Sequence, residues 1–224
     1  SDVARRVAHE IKNPLTPIQL SADRLLKKFK SEVRDEVAFE KYVNNIIKHS
    51  NDIKMIVSEF VNFARLPSPE FSKGEIVSMI TQLVGSRRLI NEDISYQFIS
   101  NVDSFELVCD VAQINRVIIN LLQNSEDMFA KEMKKKQILV DIMVEGNIVN
   151  ISILDNGPGF DEEVLENATK AYFTTKAKGM GLGLAIVDRI VQDHSGVLDI
   201  SNRKEGGAAV KLTFDALELN TKLK

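Results

Sequence analysis

The run Ile148-Val149-Asn150-Ile151-Ser152-Ile153-Leu154-Asp155-Asn156-Gly157-Pro158-Gly159 decides the fold. Val149 to Leu154 is apolar and rich in β-branched residues, which predicts a core strand. It ends abruptly in Asp155 and then a turn-forming pair of glycines around a proline. A carboxylate at a strand end can accept a hydrogen bond from an exocyclic amine such as that of adenine. Glycines let the backbone approach a flat ligand closely. An ordinary turn is the alternative reading, and these residues by themselves leave both open.

Outward from this strand, Glu145-Gly146-Asn147 is a hairpin signal that pairs it with Ile138 to Val144. Further upstream, Ile94 to Ile99 and Phe105 to Cys109 read as strands and Ile76 to Ile90 as a helix. Asp110 is a good N-cap for a long helix through Ile114, Val117, Ile118, Leu121, Leu122 and Met128. The basic run Lys131 to Lys136 reads as the end of that helix, where cations complement the dipole. Downstream come a Gly-rich segment and a helix from Leu184 to Asp193. His194-Ser195-Gly196 is expected to be a glycine-capped helix end. Strands Val197 to Ser201 and Ala209 to Phe214 flank a turn at Gly206-Gly207. The pattern predicts an α/β sandwich over 71–219, with helices on one face of a mixed, mostly antiparallel sheet. Residues 220–224 form a tail expected to be frayed.

The beginning of the chain has a different texture. Val3, Val7, Ile11, Leu15, Ile18, Ala22, Leu25 and Phe29 recur at helical steps, and so do Val43, Ile46, Ser50, Ile53, Val57, Phe60 and Ala64. A polar turn, Lys30 to Glu36, separates them, and Pro67 and Pro69 stop the second helix. Residues 1–66 therefore read as a helical hairpin and 67–70 as a linker. One hairpin leaves its apolar seam open, so two are expected to pair as a dimeric four-helix bundle.

The 224 residues carry a formal net charge of -3 and 44% apolar residues. This argues against a nucleic-acid partner, which usually meets a basic face. Cys109 is the only cysteine, so no intrachain disulfide forms and a reducing compartment fits. No apolar run has membrane-spanning length. Ser1 runs straight into helical periodicity, as expected of a segment cut from a longer chain.

Three further stretches carry chemistry. In His9-Glu10-Ile11-Lys12-Asn13-Pro14-Leu15, His9 lies two residues, about 200°, from both Val7 and Ile11 and so faces away from that seam. Its neutral imidazole can attack phosphorus if Glu10 takes or orients the other ring proton. Pro14 costs a helix interior roughly 3 kcal/mol and kinks it beside His9. An ordinary surface histidine remains the bland alternative. Asn120 and Asn124 are one turn apart on one helical face, with leucines between them pointing inward. Paired amides can take a hard cation that also holds phosphate oxygens, although such pairs are common on surfaces. Gly179-Met180-Gly181-Leu182-Gly183-Leu184 opens a helix, where free N–H groups can hold phosphate. No Rossmann, P-loop or protein-kinase signature is present.

In this order the stretches resemble the motifs of bacterial two-component sensor histidine kinases. His9 to Leu15 is similar to their H box and Asn120 to Asn124 to the N box. Asp155 to Gly159 resembles the G1 box, Tyr172-Phe173-Thr174-Thr175-Lys176 the F box and Gly179 to Leu184 the G2 box. The stretches around His9 and Pro14 resemble the nitrogen-regulation, NtrY-like subgroup. The resemblance implies a dimerisation hairpin joined to an ATP-binding domain of the GHKL (Bergerat) fold. It implies ATP and Mg²⁺ as cofactors, autophosphorylation of His9 with Glu10 as base, and phosphotransfer to an aspartate on a response regulator receiver domain. Asn13 would align water for dephosphorylation of that partner. Asn124 would bind Mg²⁺ and Asn120 lie near the phosphates. Asp155 would contact the adenine amine, with Gly157 and Gly159 shaping the base pocket. Phe173, Thr174, Thr175 and Lys176, with Gly179, Gly181, Leu182, Gly183 and Leu184, would line the nucleotide and its lid. Met180 departs from the family's more usual threonine, and the short span from Phe173 to Gly179 implies a compact lid. The implied location is the cytoplasmic part of an inner-membrane sensor, with membrane contact only through regions outside this chain.

Overall fold

The computed structural model describes residues 2–64, 66–167 and 182–223. The chain divides after Pro67 into two compact units.

The first unit is a helical hairpin of α1 (Asp2–Phe29), a 3₁₀ turn (Lys30–Glu32) and α2 (Glu36–Ala64). Asp35 starts α2, its Oδ1 accepting from Ala38 N at 2.9 Å. Pro14 and Pro17 both lie inside α1. The expected apolar stripe splits in two. Leu15 and Ala22 of α1, joined by Ala8, which the expected stripe did not include, and Val43, Ser50 and Val57 of α2 are buried, each set stepping by seven. A second set, Ile11, Ile18, Leu25, Ile46 and Ile53, is 39–46% exposed. Steps of three and four cover two adjacent heptad positions, and one hairpin partner can cover only one of them. The seam within one chain therefore runs through Ala8, not through Ile11.

The second unit begins with β1 (Ser72–Glu75), α3 (Ile76–Ile90), β2 (Ile94–Ser100), β3 (Glu106–Cys109) and α4 (Val111–Met128). It continues with β4 (Lys136–Glu145), β5 (Ile148–Asp155), α5 (Glu162–Asn167), α6 (Gly183–Asp193), β6 (Val197–Asn202), β7 (Ala208–Asp215) and α7 (Ala216–Asn220). Five strands form one sheet in the order β2-β4-β5-β7-β6, while β1 and β3 form a separate antiparallel pair. Only the β2–β4 pairing in the large sheet is parallel. Register aligns Ile142, Ile151 and Leu212, and likewise Val140, Ile153 and Val210, on one buried face. Helices cover that face with Ile114, Val117, Ile118, Leu121, Val187 and Ile190, all at most 1% exposed. The helix–sheet layers are thus a mixed α/β sandwich. Arg87 of α3 ties the layers together at its Glu126 partner on α4, to which Tyr96 of β2 also donates at 2.7 Å.

Four local features differ from the sequence expectations. β1 and α5 are short and largely polar and α7 is only five residues long, so periodicity gave no sign of them. α4 stops at Met128, where Phe129 turns extended and is buried, so the basic run lies beyond the helix. Lys136 instead begins β4 and pairs with Asp93 at 2.5 Å. The left-handed residue after α6 is Ser195 (φ 54°), not Gly196. Ser195 N and Gly196 N close a Schellman motif on the Gln192 and Val191 carbonyls at 2.9 and 2.8 Å. Gly196 is small for another reason: a Cβ there would lie 2.6 Å from the Phe214 ring. Finally, the tail is anchored at Lys222, whose Nζ lies 3.1 Å from Asp193 O and 2.7 Å from Ser195 Oγ, where fraying was expected.

Candidate functional site

Asp155 is the last residue of β5 and is 3% exposed. Its Oδ1 accepts from Gly157 N at 2.9 Å and from Ala208 N at 3.1 Å. Among the described residues, Oδ2 has no hydrogen-bond partner, which leaves one carboxylate oxygen for a ligand. Phe129 lies beside this carboxylate: a Cβ on Gly157 would sit 3.0 Å from Asp155 Oδ1 and 3.7 Å from the Phe129 ring. Gly157 therefore keeps the space over the carboxylate and the ring clear.

The turn between β6 and β7 clamps this loop from outside. Arg203 donates to the Asp155 carbonyl at 3.0 Å. Asn202 accepts from Phe160 N and donates to Phe160 O, both at 2.7 Å. Gly159 has a positive φ of 80° and also lies close to that amide, where a Cβ would fall 2.7 Å from Asn202 Oδ1. Gly207 crosses closest of all; a Cβ there would be 2.0 Å from the Asp155 carbonyl oxygen. Sequence reading took Gly206-Gly207 for a plain turn and missed Asn202, Arg203, Gly207 and Phe129. Their roles depend on chain segments between about twenty-five and fifty residues away, for which the sequence carries no local sign.

Asn120 and Asn124 sit one turn apart on α4, flanking the buried Leu121 and Leu122. Asn120 Nδ2 is buried without a partner among the described residues. An unpaired buried donor is costly unless a ligand oxygen completes it. Asn124 lies against the start of α6: a Cβ on Gly183 would be 3.7 Å from Asn124 Nδ2. Gly183 is thus sterically replaceable, but any side chain would fill the space next to that amide. Leu182 is buried at 1% exposure, anchoring the beginning of α6, and Leu184 is half-buried.

Phe173, Thr174, Thr175, Lys176, Gly179 and Gly181 lie outside the described residues. His9 and Glu10 belong to α1, but their side chains lie outside the described ones; Asn13 is exposed on the same helix, next to Pro14. Among the described residues no cluster of His, Cys, Asp or Glu could hold a metal. A donor set of amide oxygens plus ligand phosphates suits Mg²⁺, which takes few protein ligands, and Asn124 with Asn120 fits it. A nucleotide fits the free carboxylate oxygen, the cleared glycine surface and the unpaired amide.

Two family models divide the chain. Residues 1–69 match the His Kinase A (phospho-acceptor) domain. Residues 109–218 match the histidine kinase-, DNA gyrase B- and HSP90-like ATPase. The chain belongs to the sensor histidine kinase family. Among relatives, an NtrY-like sensor histidine kinase of Rickettsia typhi is 51% identical over 100% of this chain and 37% of its own length. The nitrogen regulation protein NtrY of Azorhizobium caulinodans is 37% identical over 96% of this chain and 29% of its own. The chain therefore spans roughly a third of these sensor kinases. The crystal structure of histidine kinase ThkA in complex with response regulator TrrA shares the fold, with a TM-score of 0.64 at 23% identity. That match covers 96% of this chain and 61% of the ThkA chain. The helical hairpin followed by a GHKL-type α/β sandwich is the architecture of this sensor kinase family.

Proposed function

We propose that this chain is the catalytic core of an NtrY-like sensor histidine kinase, which phosphorylates its own His9 from ATP and passes the phosphoryl group to an aspartate of a response regulator. The observation that carries the reading is Asp155. It is buried at the end of a core strand, with one oxygen saturated by backbone N–H groups and the other without a partner among the described residues. That oxygen suits the adenine amine, and Gly157 and Gly159 give the base its room. At the phosphate end, Asn124 with Asn120 would hold the Mg²⁺–phosphate group, and the glycines 179, 181 and 183 would close over it with the Phe173–Lys176 stretch. Mg²⁺ supplies neutralisation of phosphate charge. His9 contributes the nucleophilic nitrogen: a nitrogen–phosphorus bond forms as the γ-phosphoryl leaves ADP, and Glu10 takes or orients the other ring proton.

The ThkA–TrrA complex supports a receiver domain as partner, since it is a kinase of this fold holding a response regulator. Asn13, one turn from His9, would align water for attack on the partner's acyl phosphate. The exposed stripe of Ile11, Ile18, Leu25, Ile46 and Ile53 supports a homodimer built as a four-helix bundle. Pro17, Ile18, Ser21, Ala22, Leu25 and Ile46 line a groove of 360 Å³ on that stripe, ready for a partner's side chains. No helix among the described residues is long and apolar enough to cross a membrane. With relatives almost three times as long, the chain reads as the cytoplasmic part of a membrane-bound sensor.

The test is incubation of the full chain with γ-labelled ATP and Mg²⁺. Acid-labile, base-stable label on the protein, lost in His9→Gln, is the expected result. Free phosphate without protein label would mark an ATPase of the gyrase and HSP90 type instead. Asn13→Ala should keep most self-labelling and lose most phosphatase activity; equal loss of both would end the water-aligning role.

A further inference from the structure

His194 is fully buried and takes no part in the chemistry above. Its Nδ1 lies 2.8 Å from the Ile190 carbonyl oxygen, which can only accept, so Nδ1 carries the proton. Nε2 then offers a lone pair, and it accepts the backbone N–H of Asp110 at 3.0 Å. The ring is a neutral imidazole in a single tautomer. Asp110 is also the cap of α4, its Oδ1 accepting from Gln113 N at 3.0 Å. His194 is the last cap of α6. One hydrogen bond thus joins the beginning of α4 to the end of α6.

The other end of this antiparallel helix pair is the nucleotide end, where Gly183 abuts Asn124. The eleven residues of α6 span about 16 Å at 1.5 Å per residue. A helix this short moves as a rod, so axial slip at one end arrives unchanged at the other. An ångström of misplacement at a phosphoryl-transfer site is costly. The surroundings of the ring are equally fixed. Phe71 lies at 5.1 Å between ring centroids and Phe214 at 6.5 Å. Lys222 Nζ bonds Asp193 O and Ser195 Oγ over the Phe71 ring. Glu70 N donates to Asp110 Oδ2 at 3.0 Å.

We propose that His194 is a positioning residue for ATP: through a hydrogen bond that only the neutral imidazole can accept, it holds α6 in axial register on α4 and so holds Gly183 against Asn124. The proposal rests on the ATP-binding reading above. Protonation would turn Nε2 into a donor facing the Asp110 N–H and break the pin. The charged groups around the ring are Asp110 at the α4 cap, Asp193 on α6 and Lys222 in the C-terminal segment. Burial first, with Lys222, disfavours the imidazolium, and the Ile190 carbonyl and the two aspartates favour it; burial dominates and holds the ring's titration below its usual 6.5. The pin therefore stands at neutral pH and fails on acidification.

The experiment is a calorimetric titration of the full chain with ATP and Mg²⁺ from pH 8 to pH 5, for the unmodified protein and His194→Gln. The glutamine Oε1 can accept from Asp110 N at any pH. Titration of ATP itself is common to both proteins and cancels in the ratio of their dissociation constants. The variant should bind about threefold more weakly at pH 7.5, and the gap should close or reverse toward pH 5 as the unmodified ring takes up a proton. Parallel pH profiles would overturn the proposal. If His194→Gln does not fold, ¹⁵N shifts of the unmodified ring decide: the Nδ1–H tautomer must give way to imidazolium over the pH range in which ATP affinity falls. A ring that stays neutral while affinity falls further than titration of ATP itself accounts for, or protonates while affinity holds, also overturns it. Absence of ATP binding at pH 7.5 with no effect of Asp155→Asn would instead remove the ATP reading, and this inference with it.

Discussion

At Gly207 a single hydrogen atom separates a tight crossing from a collision. The residue combines φ of 94° with an approach in which a Cβ would lie 2.0 Å from the Asp155 carbonyl oxygen. Gly207→Ala must therefore push the β6–β7 turn off the Asp155 loop. The strained φ by itself costs about 1–3 kcal/mol, and a lower midpoint in urea should report at least that. Asp155 is tested more gently. In Asp155→Asn the Oδ1 position can still accept from Gly157 N and Ala208 N, so the fold should survive. The free carboxylate oxygen becomes an amide with no charge to offer. Losing a charge-assisted bond worth roughly 1.5–3 kcal/mol should weaken ATP more than tenfold. A nucleotide titration with unchanged affinity would remove Asp155 from the adenine site.

Among the elements, α3 depends on an unusual cap. Glu75 accepts from Phe105 N at 2.7 Å, Ser78 N at 2.6 Å and Val77 N at 3.3 Å. The Phe105 N–H foremost, and then those of Ser78 and Val77, hold its carboxyl below the usual 4.5, against the opposing effect of burial. The folded value is depressed, so the stabilisation is complete above 4.5 and disappears as pH falls through the folded value. Glu75→Gln should cost about 1 kcal/mol at pH 7, within the usual range for a lost cap. The difference between the two proteins in denaturant midpoint should shrink as pH falls from 5 to 3. A constant difference across that range would show that the carboxylate charge is not what caps the helix. This cap also joins α3 to Phe105, just before β3, so the β1–β3 pair and α3 should loosen together.

For the molecule as a whole, the exposed heptad stripe on the hairpin makes the strongest demand. Ile18 is 46% exposed and lines the groove with Leu25 and Ile46. Ile18→Asp places a charge where the proposed partner hairpin packs, while leaving the seam of Ala8, Leu15 and Ala22 intact. Sedimentation should show a dimer for the unmodified chain and a single-chain mass for the variant, with helicity retained. A monomeric unmodified chain would contradict the bundle. Much of the architecture could be read from the sequence by itself. Helix α3 has the predicted limits, Ile76 to Ile90, and the α4 cap at Asp110 and the strands flanking Gly146 lie where periodicity and turn chemistry place them. These features depend on neighbours within a few residues, where period and capping operate. The short β1 and α7 carried no such period and owe their form to packing on β3 and on β7. The site divides in the same way. The sequence displayed Asp155, Asn120, Asn124 and Gly183 as local patterns, because each needs a particular residue at a strand end, on a helix face or at a helix start. Only the tertiary structure decided that Arg203, Gly207 and Ala208 hold Asp155, and that His194 joins α6 to α4. Those contacts span about fifty to eighty residues of chain, and the residues that make them look ordinary until the fold sets them a few ångströms apart.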